Sequence, residues 1–564
     1  MPQRDFELRT ERLGPLPLVN HYVERLGLFG LFDRFVPTPD RRTRLRYSTA
    51  LGVLLRSVLT EREPLYRLGE VVHTFAPEGF ALSEAEAGRL GDDAVGRALD
   101  RLFDADRGSL LTEIVVAAVE RFDLRLDELH NDSTTVKFTG QYAQARGRSL
   151  RGKKKAPYIT YGYSKDHRPD LKQLLFILTA TRDGVPVQFR CEAGNQNDAR
   201  THEASWDALC QVHGGPDFLY VADSKLCGAE AMEHIHARGG RFVTVMPRGR
   251  REDREFRKWI QQHEPAWEKV WDRKNPRRER GPRDRWFVWR HSLPSREGWP
   301  VVWVYSSLLR LKQGHSRRER LAKAEEELGD LAELHRSGRP RKRARHEVWR
   351  QICEILEARR VGPYLKVTLD PLEEHLYRQD RRGRPGPDTK YVRRTKRRWQ
   401  IHWEVDEEAI AYDLNSDGMY PLLTNDRSLT APQVLEAHKR QPAIEKCFKQ
   451  AKTIYEIAPV LLKNEGRIEA LFFLYFVALL VQALIERDLH RAMARDGIKE
   501  LPLYPEERMT RRPSAEQVLR LFSLAHRSRL YRSGQGELQL FHPELTDLQI
   551  HVLELLDVPL SAYR

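Results

Sequence analysis

The segment from about residue 124 to 246 constrains the fold most, because its apolar runs change period in a definite order. LRLDELHNDSTTVKF predicts a strand, and DLKQLLFILTATRDGVPVQFRCEAG predicts a hairpin that turns at Asp183-Gly184. A helix over 201–212, a strand ending at Asp223, a helix stopped by Gly239-Gly240 and the strand RFVTVMP are then predicted. Hairpin-connected strands followed by alternating helices and strands predict a mixed α/β sheet with flanking helices.

The basic residues are concentrated in one part of the chain. The 564 residues contain 96 Lys and Arg against 81 Asp and Glu, a net charge of +15. Residues 251–400 hold 40 Lys and Arg against 23 Asp and Glu, a net of +17, together with ten of the eleven tryptophans as far as Trp403. Guanidinium groups bind phosphates and indoles stack on bases, so this segment predicts a nucleic-acid partner. The alternative is a solvated basic face with ordinary core tryptophans.

These changes of character predict five regions. Residues 1–120 form an N-terminal helical domain, which either holds a helix-turn-helix for a DNA end or mediates dimerisation. Residues 121–250 form the first part of a core, 251–405 a large basic insertion rich in Trp and Arg, 406–495 the second part of the core, and 496–564 a C-terminal helical region. The apolar run over 470–485 is too short for a membrane span and predicts a buried helix.

Cysteine usage and the N-terminus predict a cytoplasmic location. The five cysteines are scattered and form no CxxC pair, which favours a reducing compartment over a disulfide framework. The first residues, MPQRDFELRTERLG, contain no apolar stretch of the kind that secretory signals have. We therefore expect no membrane association.

Three acidic residues stand where carboxylates can leave the core. Asp132 interrupts or ends the first strand, Asp223 follows the apolar run FLYVA, and Glu445 lies in a predicted helix over 432–453. Each acid alone is compatible with a cap, a turn or a surface ion pair. Together they predict a site of hard oxygen ligands, which selects Mg²⁺ or Mn²⁺ over Zn²⁺.

Basic and polar residues accompany these acids. Helical spacing predicts that Glu445 shares one helix face with His438, Gln441, Lys449 and Lys452. The polar run GYSKDHRPDLK before the hairpin contains Lys165, Arg168 and Lys172, together with Asp166 and Asp170. This run either positions the metal site or the nucleic acid, or is a surface loop.

These residues resemble those of a known family, the bacterial insertion-sequence transposases of the DDE class, whose catalytic core is RNase H-like. The similar stretches are GYSKDHRPDLKQLLF, VADSKL, DGMYPLLTN, IEKCFKQAK and LKNEGRIEALFFLYFVALLVQALIER. The branch that the chain resembles carries a long insertion before its glutamate and a Tyr-x2-Arg-x3-Glu-x6-Lys signature. By position, Asp132 and Asp223 match the two aspartates, Glu445 the glutamate and Lys452 the lysine. His438 and Gln441 stand at the tyrosine and arginine positions, with Arg440 adjacent.

The resemblance implies a DNA transposase. Its three carboxylates would hold two Mg²⁺ or Mn²⁺ ions, and a homodimer in a synaptic complex would bind double-stranded transposon ends and target, cleave the ends and transfer the strand. The expected DNA contacts come from the helix face, the link before Glu445, the polar run and the insertion: His438, Gln441, Lys449, Lys452, Arg440, Lys165, Arg168, Lys172, Arg393, Arg394, Arg397 and Arg398. In some relatives a tryptophan of the insertion stacks on a flipped base. The expected location is the bacterial cytoplasm, in association with the nucleoid.

Other functions are open at this point. An inactive or domesticated relative would bind DNA without cutting it, and an RNase H-like metal nuclease would cleave without strand transfer. A structural or interaction protein would do neither.

Overall fold

A computed structural model describes residues 6–38, 45–61, 65–138, 142, 149–150, 154–162, 170–196, 200–274, 281–337, 344–455, 462, 464–532 and 536–564. Two compact units divide the chain. The first contains Met1–Thr244, Thr424–Asp426 and Glu436–Arg564, and the second contains Val245–Leu423 and Arg427–Leu435.

The N-terminal part of the first unit consists of helices, as expected, but it begins with a strand. The elements are β1 (Phe6–Arg12), α1 (Leu16–Leu26), α2 (Leu28–Phe35), α3 (Tyr47–Thr60), α4 (Leu68–Thr74), α5 (Glu84–Ala87), α6 (Asp92–Asp104) and α7 (Arg107–Phe122). The strand was not foreseen because its partner is remote in sequence. Phe6 to Arg12 pair antiparallel with Arg532 to His526 near the C-terminus.

The central part of this unit follows the order that the sequence predicts. It contains β2 (Glu128–Phe138), β3 (Ser149–Leu150), β4 (Lys154–Lys155), β5 (Lys172–Thr181), β6 (Pro186–Ala193), α8 (Thr201–His213), β7 (Leu219–Ala222), α9 (Ala229–Ala237) and β8 (Arg241–Val245). Five of these strands lie side by side in the order β6-β5-β2-β7-β8. The pairs β6-β5 and β5-β2 are antiparallel, whereas β2-β7 and β7-β8 are parallel. This confirms the expected mixed α/β fold, and the order is the RNase H-like one.

The second unit has its own sheet and its own core. Its elements are α10 (Arg251–Trp259), β9 (Glu268–Arg273), β10 (Asp284–Arg290), β11 (Val301–Ser306), α11 (Ser307–Ser337), α12 (Arg345–Arg359), β12 (Leu365–Gln379), β13 (Tyr391–Val405), α13 (Glu407–Leu414) and β14 (Met419–Thr424). Antiparallel pairing gives the order β14-β11-β10-β9, and β12 pairs with β13 in a separate hairpin. Leu321, Leu328, Ile352, Leu369 and Ile401 belong to one buried cluster that joins α11, α12 and the base of this hairpin.

The chain then returns to the first unit. The last elements are α14 (Ala431–Lys439), α15 (Pro442–Tyr455), α16 (Glu465–Arg495), α17 (Ala515–Leu521), β15 (His526–Arg532), β16 (Gly536–Phe541) and α18 (Asp547–Leu555). The region expected to be helical after residue 496 therefore also contains two strands, and β15 pairs with both β1 and β16. The sequence HRSRLYR alternates only weakly between apolar and polar residues, so its pattern did not predict a strand.

Helix α16 is the core helix of the first unit. It is long and apolar enough to cross a membrane by length and composition, yet 89% of its most apolar window is buried inside the protein. Phe472 contacts Phe138 of β2 and Phe176 of β5, and Arg467 forms a bidentate ion pair with Asp100 of α6. Burial of this kind is compatible with a soluble protein.

Candidate functional site

Strand register places Asp132 and Asp223 side by side in the first unit. The parallel pairing of β2 with β7 runs from Glu128 opposite Leu219 to Asn131 opposite Ala222. The pairing ends there, and Asp132 and Asp223 are the next residues of two chain segments whose strands are about 4.8 Å apart. Strand β7 ends there, whereas β2 continues to Phe138. Both aspartates are half-buried. They lie where β7 has ended and β2 continues without β7 beside it.

The backbone around each aspartate is held in place. Asp132 Oδ1 accepts a hydrogen bond from its neighbour Ser133 N at 2.7 Å, and Asp223 Oδ1 accepts one from Lys225 N at 2.9 Å. The hydroxyl of Thr244, a residue of the parallel strand β8, donates to the Asp223 carbonyl at 2.6 Å.

Side chains of β2 alternate between the two faces of the sheet, so Glu128, His130 and Asp132 share one face. His130 is buried, and its Nε2 lies 2.8 Å from Glu128 Oε1. The other oxygen of Glu128 is bound by Arg440 Nη1, from the short link between α14 and α15. A buried row of polar groups therefore leads along β2 to Asp132 on the face that α15 and α16 cover.

The ion pair between Glu128 and Arg440 joins two segments that each lead to a candidate acid. Asp132 follows Glu128 by four positions and Glu445 follows Arg440 by five. Burial alone would raise the pKa of Glu128, but hydrogen bonds with His130 and Arg440 outweigh it and leave this pKa below its usual value. Burial also lowers the pKa of His438, to about 3. The pair fixes the start of α15 against the start of β2.

The expected helix over 432–453 is interrupted, which corrects one interpretation of the sequence. Helix α14 ends at Lys439 and α15 begins at Pro442. Proline lacks the amide donor and its ring clashes with the carbonyl four residues earlier, so one continuous helix is disfavoured. His438 and Gln441 therefore do not share a single helix face with Glu445.

Glu445 lies in the first turn of α15 and is exposed. This helix packs on β2 and β5, with Ile444 and Phe448 buried beneath it. Cys447 Sγ lies 3.4 Å from the Gly184 carbonyl in the β5–β6 turn. The first two acids are thus brought together by strand register, and the helix that carries the third is packed on the same sheet.

The donor chemistry of the three acids fits a divalent cation, since all are carboxylates and two lie on adjacent strands. Within the described residues, however, no group of three or more His, Cys, Asp and Glu side chains is arranged to hold a metal ion. Asn131, beside Asp132, carries a buried Oδ1 that has no hydrogen-bond partner in this part of the chain. The arrangement supplies two adjacent carboxylates, and grouping with Glu445 stays a prediction.

The residues of the first unit that were expected to contact DNA differ in their exposure, and some are not described by the structure. Lys165 and Arg168 lie outside the described residues, as does the Lys452 side chain. Lys172 begins β5, and its Nζ donates to the Tyr142 carbonyl at 3.2 Å. Lys449 is exposed on α15, and Gln441 is buried.

The arginines of the second unit lie on strand β13. Arg393, Arg394 and Arg397 are exposed and Arg398 is half-buried. Strands β12 and β13 pair residue by residue from Leu365 opposite Val405 to Gln379 opposite Tyr391. The sequence did not predict these two long strands, which lie inside the region expected to be a basic insertion.

Most tryptophans of the second unit are packing residues. Trp303 is buried and stacks on Phe256, and Trp259 stacks on Trp289 with ring centroids 5.1 Å apart. All eleven tryptophans lie in the described part of the chain, and among them only Trp349 is exposed, at 40%. The packing interpretation of these residues therefore holds for most of them.

The sequence analysis missed Glu128 and His130 as parts of this site. Their spacing of two from one another and from Asp132 would have placed all three on one strand face. The pairing with Arg440 had no comparable signal, because 312 positions separate the two residues.

Two family models match the chain. One is described as a domain of unknown function, DUF4277, and covers residues 8–116. The other is described as a transposase DDE domain and covers residues 127–481, a range that includes Asp132, Asp223 and Glu445. No curated protein matches.

Proposed function

Because a transposase domain matches more than half of its length, this protein belongs to the DDE transposases, and we propose that it cleaves the ends of an insertion sequence and joins them to target DNA. Transposases of this class act on DNA and generally use divalent metal ions. The observation that carries the proposal is the register that sets Asp132 beside Asp223 at the end of β7.

We assign Asp132, Asp223 and Glu445 as the carboxylates that hold two Mg²⁺ or Mn²⁺ ions. Such ions would lower the pKa of an attacking water or 3′-hydroxyl and neutralise charge at the scissile phosphate. The chain's own contribution is position. Strand register fixes the two aspartates relative to each other, and the ion pair of Glu128 with Arg440 holds the segment that leads to Glu445 against β2.

Basic residues of both units would bind the DNA. Lys449 and Lys452 would contact backbone phosphate from α15, and the basic second unit would bind the DNA end. Two copies would act in one synaptic complex, since the two ends of an element are cut together. The protein would then work in the cytoplasm, close to the nucleoid.

The test uses DNA that carries the inverted repeats flanking the gene. Asp132→Asn, Asp223→Asn and Glu445→Gln should each reduce Mg²⁺-dependent end cleavage by at least about a thousandfold, with DNA affinity within about twofold of wild type. Asp217→Asn is the matched control, because this exposed aspartate lies just before β7, at the far end from Asp223. It should cleave normally.

Strand transfer separates the transposase from the other functions. A precleaved 3′-hydroxyl end should be joined to plasmid DNA by the wild-type protein and by none of the three acid variants. Cleavage without joining would identify a metal nuclease, and binding without cleavage an inactive relative. Full cleavage by any acid variant would refute the assignment of that residue.

A further inference from the structure

The hairpin of β12 and β13 continues well beyond the core that anchors it. Its base is held by Leu365, Leu369 and Ile401, which belong to the buried cluster with α11 and α12. Past the pair Pro371–Trp399, none of the hairpin's described residues is a member of that cluster. Eight further pairs, from Leu372–Arg398 to Gln379–Tyr391, follow outward. We call residues 372–398 the outer ribbon.

The outer ribbon is strongly basic. It holds ten Lys and Arg against four Asp and Glu, a net charge of +6. Leu372, Tyr377, Tyr391 and Val392 are all exposed large apolar side chains within it. None of these charged or apolar side chains belongs to the buried cluster, so packing in that cluster does not account for the composition of the outer ribbon.

Strand alternation sorts these charges unequally between the two faces, since directly paired residues point to the same side. The even-numbered face carries four basic residues and one acid, a net of +3: Arg378, Arg394, Lys396, Arg398 and Glu374. The odd-numbered face carries two basic residues and one acid, a net of +1: Arg393, Arg397 and Glu373. Each face has one ion pair, Arg397 with Glu373 at 2.7 Å on the odd face and Arg398 with Glu374 at 3.6 Å on the even face.

The even face combines its larger positive charge with aliphatic side chains. Arg378 and Arg394 have no ion pair with any residue that the structure describes. Leu372, Leu376 and Val392 lie between the basic residues on this face. On the odd face the same positions hold His375, Tyr377 and Tyr391.

We infer that the even face of the outer ribbon docks on duplex DNA, in the major groove. The inference rests on the proposed function and specifies which surface of the second unit binds. A major groove about 12 Å wide admits a two-stranded ribbon, and eight residue pairs extend about 26 Å, close to eight base pairs. The basic side chains reach the phosphates, and the aliphatic ones contact base edges. Of the four arginines that the sequence groups together, Arg394 and Arg398 lie on this face, and Arg394 is the exposed one.

Two adjacent residues of β13 provide a matched test of the face. Val392 is even-numbered and 48% exposed, and Tyr391 is odd-numbered and 53% exposed. Val392→Glu and Tyr391→Glu introduce the same charge at adjacent positions near the hairpin tip. Binding of the full-length chain to a 30-base-pair duplex without divalent metal, followed by fluorescence anisotropy, should weaken about tenfold for Val392→Glu and less than about twofold for Tyr391→Glu.

A second variant tests the contact itself rather than the introduced charge. Arg378→Gln combined with Arg394→Gln should reduce the slope of log affinity against log salt by about 2, because each lost phosphate contact contributes about 0.9. Thermal unfolding of all variants should match wild type, since these positions lie outside the buried cluster.

The outcomes distinguish this inference from the proposed function. Equal weakening by Val392→Glu and Tyr391→Glu would overturn the assignment of the even face. Unchanged affinity in both, with an unchanged salt slope for the double variant, would show that the ribbon serves another partner, such as an acidic protein surface. Either result could stand while the acid variants still abolish cleavage, and loss of the proposed function would appear in the cleavage assay alone.

Discussion

The β2–β7 pair of the first unit and the outer ribbon of the second unit position charged residues in opposite ways. Asp132 and Asp223 are half-buried in a sheet with helices on both faces, and pairing between distant strands sets their position. The basic residues of the ribbon are mostly exposed on one hairpin, and alternation along two neighbouring strands sets theirs. A site for bond cleavage needs fixed distances, whereas a surface for a polyanion needs a row of charges of one sign. The two regions should therefore respond differently to mutation.

Removal of the outer ribbon should reduce DNA affinity more than any single substitution. Replacement of residues 372–398 by a short turn deletes a net charge of +6 and leaves the buried cluster at the hairpin base complete. We expect DNA affinity at about 0.1 M salt to fall at least a hundredfold in an anisotropy titration. The far-ultraviolet circular dichroism of the variant checks that it folds. Affinity equal to wild type would contradict the contrast between the two regions.

Arg440 is a cation whose ion partner, Glu128, lies on the sheet of the first unit, in contrast to the exposed cations of the outer ribbon. Arg440→Ala removes its ion pair with Glu128 and should destabilise the first unit by about 1–3 kcal/mol, the range for hydrogen bonds to charged groups, with partial exposure of Arg440 favouring the lower end. End cleavage should fall about tenfold and DNA affinity should stay within about twofold, since the loss acts on the position of α15.

Arg440→Lys is the conservative control and should restore part of the cleavage, as the ammonium keeps the charge but not the guanidinium geometry. The sequence placed Arg440 among the DNA contacts. A reduced affinity and salt slope in Arg440→Ala, with cleavage of bound DNA unchanged, would favour that interpretation over the positioning role.

Substitution of one glycine in each region tests how tightly the first unit and the outer ribbon are packed. A Cβ at Gly240 would lie 2.6 Å from Trp206 and 2.7 Å from Ile235, whereas one at Gly386 in the ribbon loop would meet nothing within 4 Å. Gly240→Ala should reduce the free energy of unfolding by about 1–3 kcal/mol, and Gly386→Ala should change it by less than about 0.5 kcal/mol. Denaturant titration measures both. Equal effects would show that the ribbon loop is packed as tightly as the sheet.

A smaller effect concerns acid stability of the second unit. Burial by itself would raise the pKa of Glu252, but hydrogen bonds from Arg250 and the Arg296 amide lower it to about 2. The unfolded value is about 4.3, so this stabilisation is fully present above that pH and is lost as the pH falls toward 2. Glu252→Gln should flatten this part of the acid unfolding profile, followed by tryptophan fluorescence.

The control for this measurement is Glu255→Gln, because Glu255 forms an exposed ion pair with Arg251 on the same helix. Its profile should parallel that of wild type between pH 4.3 and 2, in line with the small contribution of exposed pairs. If the profile of the control is flattened as well, the pH dependence reflects the net charge of the protein rather than the titration of Glu252.

Much of the first unit's central sheet could be predicted from the sequence. The order of strands and helices from β2 to β8 follows from periodicity, and the apolar run that ends at Asp223 shows where β7 stops. The break before Pro442 was also visible locally, and treating 432–453 as one helix overlooked it. Strands β1 and β15 were missed, since each of them is stabilised by a partner more than 500 positions away.

The sequence by itself determined the periods of the elements from β2 to β8 and the placing of Asp223 at the end of β7, whereas Asp132, expected to interrupt or end the first strand, lies within β2. Backbone geometry alone fixes those periods. Only the tertiary structure decided that Asp132 lies beside Asp223, that Glu128 binds Arg440, and that the hairpin leaves its core at Pro371–Trp399. Such contacts depend on which apolar faces are buried against each other, and no local pattern carries that information.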